Sequence, residues 1–264
     1  MVTSPLDLSV VIACYNEERI LSYSVEELLG VLRGTRLSYE LIFVDDASRD
    51  ATLSVIEACR QRYPEIPMRV IRHAQNMGRG KTVSDGFRAA VGRIIGYFDI
   101  DLEVHARYIP SMVDAIARGG ADVAVAWRIY KLTWSGLLRA GCSKGYRWLV
   151  RRSLGVSLKD TETGFKFFRR EALERVLGLT RHPGWFWDTE IMAYCARQEM
   201  KIAEIPCLFI RRADKVSSVR IVRDSVEYAR ALWRFRREFL SQPAQAEMRL
   251  PEALSSIAAK LPDV

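Results

Sequence analysis

The chain has 264 residues, of which 49% are apolar and 27% charged, as in ordinary globular proteins. This length is enough for one large α/β domain, or for a domain with an appendage. No run of about 18 apolar residues occurs and the N-terminus lacks a secretory signal, so we expect no membrane-spanning helix. The five cysteines are scattered without metal-binding spacing, which favours reduced thiols in the cytoplasm and disfavours a zinc site.

The positive charge is concentrated in one part of the chain. The net charge of +8 indicates an anionic partner. The segment Val123–Lys159 contains no Asp or Glu but carries eight Lys and Arg residues, equal to the whole net charge. A non-enzymatic nucleic-acid-binding protein would fit this charge alone. It would leave the acidic residues described below without a role, so we expect no nucleic-acid partner.

Apolar runs alternate with helical patterns along the first half of the chain. The predicted strands are Leu8–Ala13, Glu40–Val44, Met68–Arg72, Arg93–Phe98 and Ala121–Ala126. The predicted helices are Arg19–Leu32, Ala51–Arg62 with Asp50 as its N-cap, Thr82–Val91 and Tyr108–Arg118. Such alternation predicts βαβ units and an α/β fold with a mostly parallel sheet.

Acidic residues follow three of these strands. Glu17 comes after the first, Asp45 and Asp46 after the second, and Asp99 and Asp101 after the fourth. Ligands of parallel sheets lie at the carboxyl ends of the strands, where these side chains would meet. Carboxylates are costly to bury unpaired, and Mg²⁺ is held by one or two of them plus substrate phosphates. One acidic strand end would fit a solvated loop, but three convergent ends favour a metal site.

The segment Gly78–Thr82 is similar to the end of a phosphate-binding P-loop. That loop requires a glycine where this chain has Gln75, so we reject the assignment. The glycines instead predict a tight turn into the next helix, whose N-terminus could face a diphosphate.

Four motifs together resemble glycosyltransferase family 2, whose members are inverting GT-A enzymes that use nucleotide-sugar donors. The motifs are Tyr15-Asn16-Glu17, Val44–Ser48 with Asp50 and Thr52, Asn76–Lys81, and Asp99-Ile100-Asp101. The resemblance implies a Rossmann-like GT-A fold and a UDP- or GDP-hexose donor. It also implies Mg²⁺ or Mn²⁺ bound by Asp99, Asp101 and Glu103 to stabilise the leaving diphosphate. The implied donor-binding residues are Ala13, Tyr15, Glu17, Val44, Asp45, Asp46, Lys81, Asp99, Ile100 and Asp101.

Within this family, the chain resembles polyprenyl-phosphate glycosyltransferases of the dolichol-phosphate mannose synthase type. The resemblance rests on Glu103 two residues after Asp101, on the segment Asp160–Arg170, and on the basic loop Arg211–Arg220. It implies transfer of a hexose, of the mannose or glucose type, to a polyprenyl or dolichyl phosphate. The acceptor-binding residues implied in the basic loop are Arg211, Arg212, Lys215, Ser217 and Arg220.

A phosphate acceptor also agrees with the charge pattern. A lipid monophosphate is largely ionised at neutral pH, so it needs cations that position it and no base that activates it. Arg128, directly after a predicted strand, and Lys144 are the candidate phosphate ligands. Asp160 would orient the acceptor arginines or the transferred sugar. Asp101, Asp160 and Arg128 are therefore the predicted catalytic residues.

A saccharide or other hydroxyl acceptor is the alternative. Transfer to a hydroxyl needs a general base, because the group is poorly acidic. Asp160, Asp188 and Glu190 are the candidates for that base.

Two stretches have a basic amphipathic pattern, Trp134–Leu154 and Arg220–Leu240. Such helices lie in the plane of a membrane interface, although the same apolar stripes could pack on the sheet. We expect one GT-A domain over 1–240, with a donor-binding half (1–126), an acceptor-binding half with interfacial helices (127–240), and a tail (241–264). The domain would lie peripherally on the cytoplasmic face of an anionic membrane, alone or through an anchoring partner.

Overall fold

The computed structural model describes residues 6–130, 145–211 and 221–241, the last range without the side chains of 221–226. The strands within these ranges are β1 (Leu8–Cys14), β2 (Tyr39–Asp45), β3 (Met68–Arg72), β4 (Ile94–Phe98), β5 (Val123–Tyr130), β6 (Phe165–Arg169) and β7 (Ile202–Phe209). The helices are α1 (Leu21–Arg33), α2 (Thr52–Arg62), α3 (Arg79–Ala89), α4 (Ile109–Ala117), α5 (145–154), α6 (Arg170–Leu177), α7 (Trp187–Arg197) and α8 (Ile221–Ser241).

The described strands form one sheet in the order β3-β2-β1-β4-β6-β5-β7. β6 runs antiparallel to both of its neighbours, and the other neighbouring strands are parallel. The sheet is thus mostly parallel, as predicted. β1 lies between β2 and β4, so the chain passes to opposite sides of β1, and this is where an α/β sheet opens a crevice for ligands.

Alternating residues of the strands build two apolar layers. In β1, Val10 and Ile12 pack with α1, α2 and α4, whereas Val11 faces α3, α6 and α7. Both faces of the central strands are therefore covered by helices, which explains their nearly continuous β-branched sequences. This packing fixes the ends of β1, β2 and β4 relative to one another.

The predicted elements of the first half are largely confirmed, with one correction at β5. β1 to β4 differ from their predicted bounds by at most one residue at an end. The prediction that Arg128 follows the strand is wrong, because β5 continues to Tyr130. Pairing with β7, which includes Arg128 with Cys207 and Tyr130 with Phe209, extends the strand. Arg128 therefore lies on the sheet itself.

The described apolar stripe of the first amphipathic stretch packs on the protein, whereas that of the second does so only in part, because its Ala229 and Trp233 are exposed. In α5, Val150 and Leu154 are buried, and in α8 Leu232 and Phe239 are buried. The aromatic side chain exposed on α5 is Trp148, at 67%, which the predicted stripe did not include. Across the described residues, every helix is too short or too polar to cross a membrane.

Candidate active site

The carboxyl ends of β1, β2 and β4 bring the predicted acidic residues to one edge of the sheet. Cys14 pairs with Asp45 across β1 and β2, and β4 ends at Phe98, one residue before Asp99. Glu17 follows β1 in a turn that also contains Asn16, whose φ is +56°. The sheet register produces this convergence.

The loop after β1 and the loop after β2 hold each other through hydrogen bonds. Asn16 N–H donates to Ser48 Oγ at 3.0 Å, and Arg49 N–H donates back to Asn16 Oδ1 at 2.8 Å. Glu17 N–H donates to Thr52 Oγ1 at 2.8 Å. Asp50 accepts from the Thr52 N–H at 3.0 Å and so holds the start of α2, although the cap position itself is Ala51. The two loops form one preorganised rim.

The adjacent carboxylates of Asp45 and Asp46 have different surroundings. Asp46 is buried and accepts the N–H groups of Met77 (2.7 Å) and Gly78 (2.9 Å), as well as a contact from His73 Nδ1 at 2.7 Å. It therefore fixes the turn before α3. Asp45 is equally buried, yet its Oδ2 makes no hydrogen bond with the described residues, although Arg72 Nε lies 3.9 Å away as an ion-pair partner. A buried unsatisfied carboxylate oxygen is costly, so Asp45 is the better candidate for a ligand contact.

A cleft of about 600 Å³ opens beside these loops. Its walls come from the ends of β1, β2 and β3, and the lining residues include Tyr15, Ala47, Ser48, Arg72 and Asn76. This volume suits a group the size of a nucleoside, and the partly exposed Tyr15 ring offers a stacking surface.

Asp99 is bound by Arg79, a residue that the sequence analysis did not single out. Arg79 Nη1 lies 2.5 Å from Asp99 Oδ1, and Arg79 Nε donates to Asp188 Oδ2 at 3.1 Å. Asp188 Oδ1 in turn accepts from Lys166 Nζ at 2.6 Å and from the Tyr97 hydroxyl. The five side chains form a buried polar network that ends at the carboxyl edge of β4.

Burial perturbs the charged groups of this network. It raises the pKa of Asp188 to about 7, against the opposing effect of the Arg79 guanidinium, and it lowers the pKa of Lys166 well below its ordinary value. Burial also opposes the charge on Arg79, but the carboxylates of Asp99 and Asp188 outweigh it and raise the Arg79 pKa. We regard Asp188 as ionised, because two cationic groups contact its oxygens.

Asp101 and Glu103 lie on a turn after β4, where Leu102 has a φ of +57°. The Glu103 N–H donates to Asp101 Oδ1 at 3.1 Å, and the Glu103 carbonyl accepts from the N–H of Ile210 after β7. Among the described residues, no three His, Cys, Asp or Glu side chains converge as metal ligands. Two partly exposed carboxylates nevertheless fit a cation that completes its shell with phosphate oxygens.

Arg128 and Asp160 are brought together from β5 and the loop before β6. Arg128 Nε donates to Asp160 Oδ2 at 2.7 Å and Nη2 donates to Oδ1 at 3.0 Å. The rings of Tyr130 and Phe209 flank the guanidinium, each with its centroid 5.9 Å away. Glu162 lies 3.9 Å from Arg128 Nη2. Burial, together with the Asp160 charge, raises the pKa of Glu162 to about 7 despite the nearby arginine.

The remaining predicted residues have diverse positions. The side chains of Val44 and Ile100 are buried in the core, so only their backbone could contact a donor. The ammonium of Lys81 pairs with Asp85 on its own helix. Arg211 is exposed after β7. Five predicted acceptor residues lie outside the described part of the chain: Lys144, Arg212, Lys215, Ser217 and Arg220.

Four residues of the site were missed as functional candidates: Arg79, Tyr97, Glu162 and Lys166. Lys166 carried a signal, since a lysine inside the apolar run Phe165–Phe168 must find a partner. Arg79 lies within the motif Asn76–Lys81, but its partners could not be foreseen, because they lie after β4 and on α7, far away along the chain.

Residues 9–177 match the model of the glycosyl transferase family 2. The chain belongs to this family. Solved structures of glucosyl-3-phosphoglycerate synthase from Mycobacterium tuberculosis are similar in fold. One, a complex with Mn²⁺, UDP and glucosyl-3-phosphoglycerate, has a TM-score of 0.67 at 19% identity, over 88% of this chain and 80% of that one. The GT-A fold predicted from the motifs is confirmed.

Curated family 2 relatives include sugar transferases that act on polyprenyl phosphates. Dolichyl-phosphate beta-glucosyltransferase of Saccharomyces cerevisiae is 27% identical over 83% of this chain and 73% of its own length. Dodecaprenyl-phosphate galacturonate synthase of Rhizobium johnstonii is 34% identical over 65% of this chain and 50% of its own. Glycosyltransferase AglD of Haloferax volcanii is 30% identical over 83% of this chain, which spans only 35% of AglD. The predicted resemblance to polyprenyl-phosphate glycosyltransferases is confirmed.

Proposed function

We propose that this family 2 glycosyltransferase moves a hexose from a nucleotide-diphosphate sugar to a polyprenyl or dolichyl phosphate. The observation that carries the proposal is the segment Asp160–Gly164. At one end Asp160 fixes Arg128, and at the other the Gly164 carbonyl accepts the Asp99 N–H at 3.0 Å. Four residue steps separate these ends by at most about 14 Å. A fixed cation for an acceptor phosphate thus lies close to the strand-end carboxylates of the donor site.

On the donor side, the interlocked loops after β1 and β2 would hold the nucleoside in the adjoining cleft, with Asp45 accepting a hydrogen bond from it. The donor is UDP- or GDP-hexose; the glucosyltransferase relative favours a sugar of the glucose type over mannose. Asp101 and Glu103 would hold Mg²⁺ or Mn²⁺. When bound, the metal would neutralise the charge that develops on the leaving diphosphate.

On the acceptor side, an ionised phosphate oxygen would attack the anomeric carbon opposite the leaving diphosphate. Arg128 would position this phosphate, since its guanidinium is already oriented by Asp160 and by two aromatic rings. Arg211, at the end of β7, is a second candidate cation. We further propose that residues 1–126 bind the donor, that residues 127–240 bind the acceptor, and that residues 241–264 form a tail.

A hydroxyl acceptor is the second candidate, and Glu162 is the observation that favours it. A carboxyl group with a pKa of about 7 is suited to act as a general base at neutral pH. The bases predicted from the sequence fit less well. Asp160 is paired with Arg128, Asp188 is fully buried, and Glu190 accepts the N–H groups of Arg181 and His182.

We also propose that the protein binds peripherally to the cytoplasmic face of an anionic membrane, alone or with an anchoring partner. Trp148 on α5 and Trp233 on α8 are 67% and 58% exposed. Exposed arginines accompany them on both helices, among them Arg151, Arg152 and Arg237. Exposed tryptophans beside arginines are typical of interfacial helices.

The experiment is a thermal-shift panel of nucleotide sugars with Mn²⁺, followed by transfer to a short polyprenyl phosphate or to a saccharide. We expect one nucleotide class to stabilise the protein and only the phosphate to accept sugar. Asp101→Ala should abolish the metal-dependent part of the shift. Transfer to the saccharide alone would establish the second candidate, and the absence of any nucleotide-sugar binding would refute both.

A further inference from the structure

The Arg79 guanidinium contacts two carboxylates and two aromatic rings, and its buried Nη2 makes no hydrogen bond with the described residues. Along its edges it meets Asp99 at 2.5 Å and Asp188 at 3.1 Å. Its central carbon lies 4.8 Å from the Trp185 ring centroid and 5.5 Å from that of Tyr97. Only 12% of its side chain is exposed. An arginine held by two carboxylates and two rings has a single orientation available.

The inner end of this network is anchored by buried charge. Lys166 and Asp188 are at most 1% exposed in their side chains, and Lys166 Nζ also donates to the Thr163 carbonyl. The charges of Arg79, Lys166, Asp99 and Asp188 balance in pairs. Breaking one such pair leaves an uncompensated charge, so the network resists displacement. The members of the network come from α3, β4, β6 and α7, so their hydrogen bonds and ion pairs connect these four elements.

The outer end of the network is the Asp99 carboxylate, whose side chain is 38% exposed. A Cβ atom added at Gly164 would overlap both Asp99 Oδ2 and Arg79 Nη2. Glycine at this position therefore leaves room for the ion pair as it stands. The pair has a defined place in the fold and is no casual surface contact.

We propose that Arg79 is a positioning residue that orients the Asp99 carboxylate toward the donor and keeps it from serving as a metal ligand. This inference rests on the proposed function. A guanidinium on Oδ1 lowers the negative charge that Asp99 offers and repels a divalent cation nearby. Asp99 then meets the donor as a hydrogen-bond acceptor for hydroxyl groups. The metal falls to Asp101 and Glu103, which flank Leu102 in the turn after β4.

The test combines Arg79→Met, Asp99→Asn and the double variant, with Arg88→Met as the matched control. Arg88 lies on the same helix, and 53% of its side chain is exposed. Mn²⁺ affinity is measured by titration with and without nucleoside diphosphate, and kcat and donor KM are measured alongside. We expect each single variant to lower kcat by about 10-fold or more, and the double variant to lose little beyond either single one. Mn²⁺ affinity should stay within about two-fold of wild type in Asp99→Asn and in the double variant, because neither alters Asp101 or Glu103, and it should rise in Arg79→Met, where Asp99 is freed to bind the cation.

Three results would overturn the inference: independent, multiplying losses in the double variant, a loss of Mn²⁺ affinity in Asp99→Asn equal to that in Asp101→Asn, or unchanged kcat. Arg79→Lys guards against a folding defect, because it keeps the charge but cannot bridge both carboxylates in one plane. It should melt near wild type and still lose kcat; a full kcat in this folded variant would also count against the role. A wild-type protein that binds neither Mn²⁺ nor nucleotide would instead refute the proposed function, and the inference with it.

Discussion

Arg128 and Asp160 form a two-bond ion pair that joins the C-terminal part of β5 to the loop before β6. The bonds measure 2.7 and 3.0 Å, and the Arg128 N–H adds a third contact to Asp160 at 3.3 Å. The side chains are only 19% and 4% exposed. Such a pair holds the guanidinium in one orientation at the carboxyl edge, where an acceptor phosphate can approach it.

Arg128→Ala should reduce transfer to a short polyprenyl phosphate far more than it reduces hydrolysis of the donor. Truncating one partner of a close charge contact costs about 2–5 kcal/mol, so we expect transfer to fall by about 100-fold or more. Both rates are measured on the same preparation. Equal losses in transfer and hydrolysis would contradict an acceptor role.

Asp160→Asn tests the orientation of Arg128 separately. The amide can accept one of the two guanidinium bonds but carries no charge. We expect the KM for the polyprenyl phosphate to rise while donor affinity in the thermal-shift assay stays unchanged. A change confined to donor affinity would place Asp160 in the donor site instead.

Glu162→Gln should change the pH dependence of acceptor binding. Because the pKa of Glu162 is about 7, the carboxyl is neutral below that pH and ionised above it, where it weakens the field of Arg128. We expect acceptor KM in the wild type to rise relative to the variant between pH 6 and pH 8. If acceptor KM depends on pH in the same way in the wild type and in the variant, the coupling between Glu162 and Arg128 is contradicted. If the variant loses all transfer to a hydroxyl acceptor, Glu162 is the general base.

The raised pKa of Glu162 also makes the free energy of unfolding depend on pH. The folded chain keeps a proton on Glu162 up to about pH 7, whereas the unfolded chain releases it near pH 4.3. This contribution to the free energy of unfolding is therefore full at low pH and falls as pH rises through that window. Denaturant titrations should show that the free energy of unfolding of Glu162→Gln decreases less over this pH range than that of the wild type.

Lys166→Met should destabilise the fold by about 3–5 kcal/mol, since it leaves Asp188 with one cationic partner fewer in a buried place. Denaturant unfolding at neutral pH measures the change. Lys201→Met is the matched control, because Lys201 is exposed at the start of β7. A variant as stable as this control would show that the Lys166–Asp188 pair adds nothing to stability.

Trp148→Ser and Trp233→Ser should each weaken co-sedimentation with anionic liposomes at low salt, and the double variant more so. Both rings are exposed beside arginines. Salt should weaken the electrostatic attraction between these arginines and the anionic liposomes. Tyr23→Ser is the control, a 55% exposed aromatic on α1, across the sheet from α5 and α8. Equal binding by all variants would remove the interfacial proposal.

The first half of the fold could be predicted because its signals are local. β-branched runs, the glycine turn before α3 and acids after strands each lie within a few neighbouring residues. Neither β6 nor β7 was predicted as a strand, and β6 contains a lysine within its apolar run. Their pairing with β4 and β5 is decided by contacts between distant parts of the chain.

The amphipathic stretches show the limit of periodicity. A helical apolar stripe predicts that one face is buried, but it does not say whether protein or membrane covers it. In α5 the described stripe packs on the protein and the exposed Trp148 stands on another face, whereas in α8 Leu232 and Phe239 of the stripe are buried and its Trp233 is exposed.

The sequence by itself determined the fold class, the family and the edge of the sheet at which the acids meet, because these follow from local patterns and short motifs. Only the tertiary structure decided the role of each acid. Asp46 is tied to the turn before α3, Asp99 is paired with Arg79, and Asp45 keeps a buried oxygen without a hydrogen bond from the described residues. Burial and the approach of groups distant in the chain set these differences, and neither can be read from the neighbours of a residue.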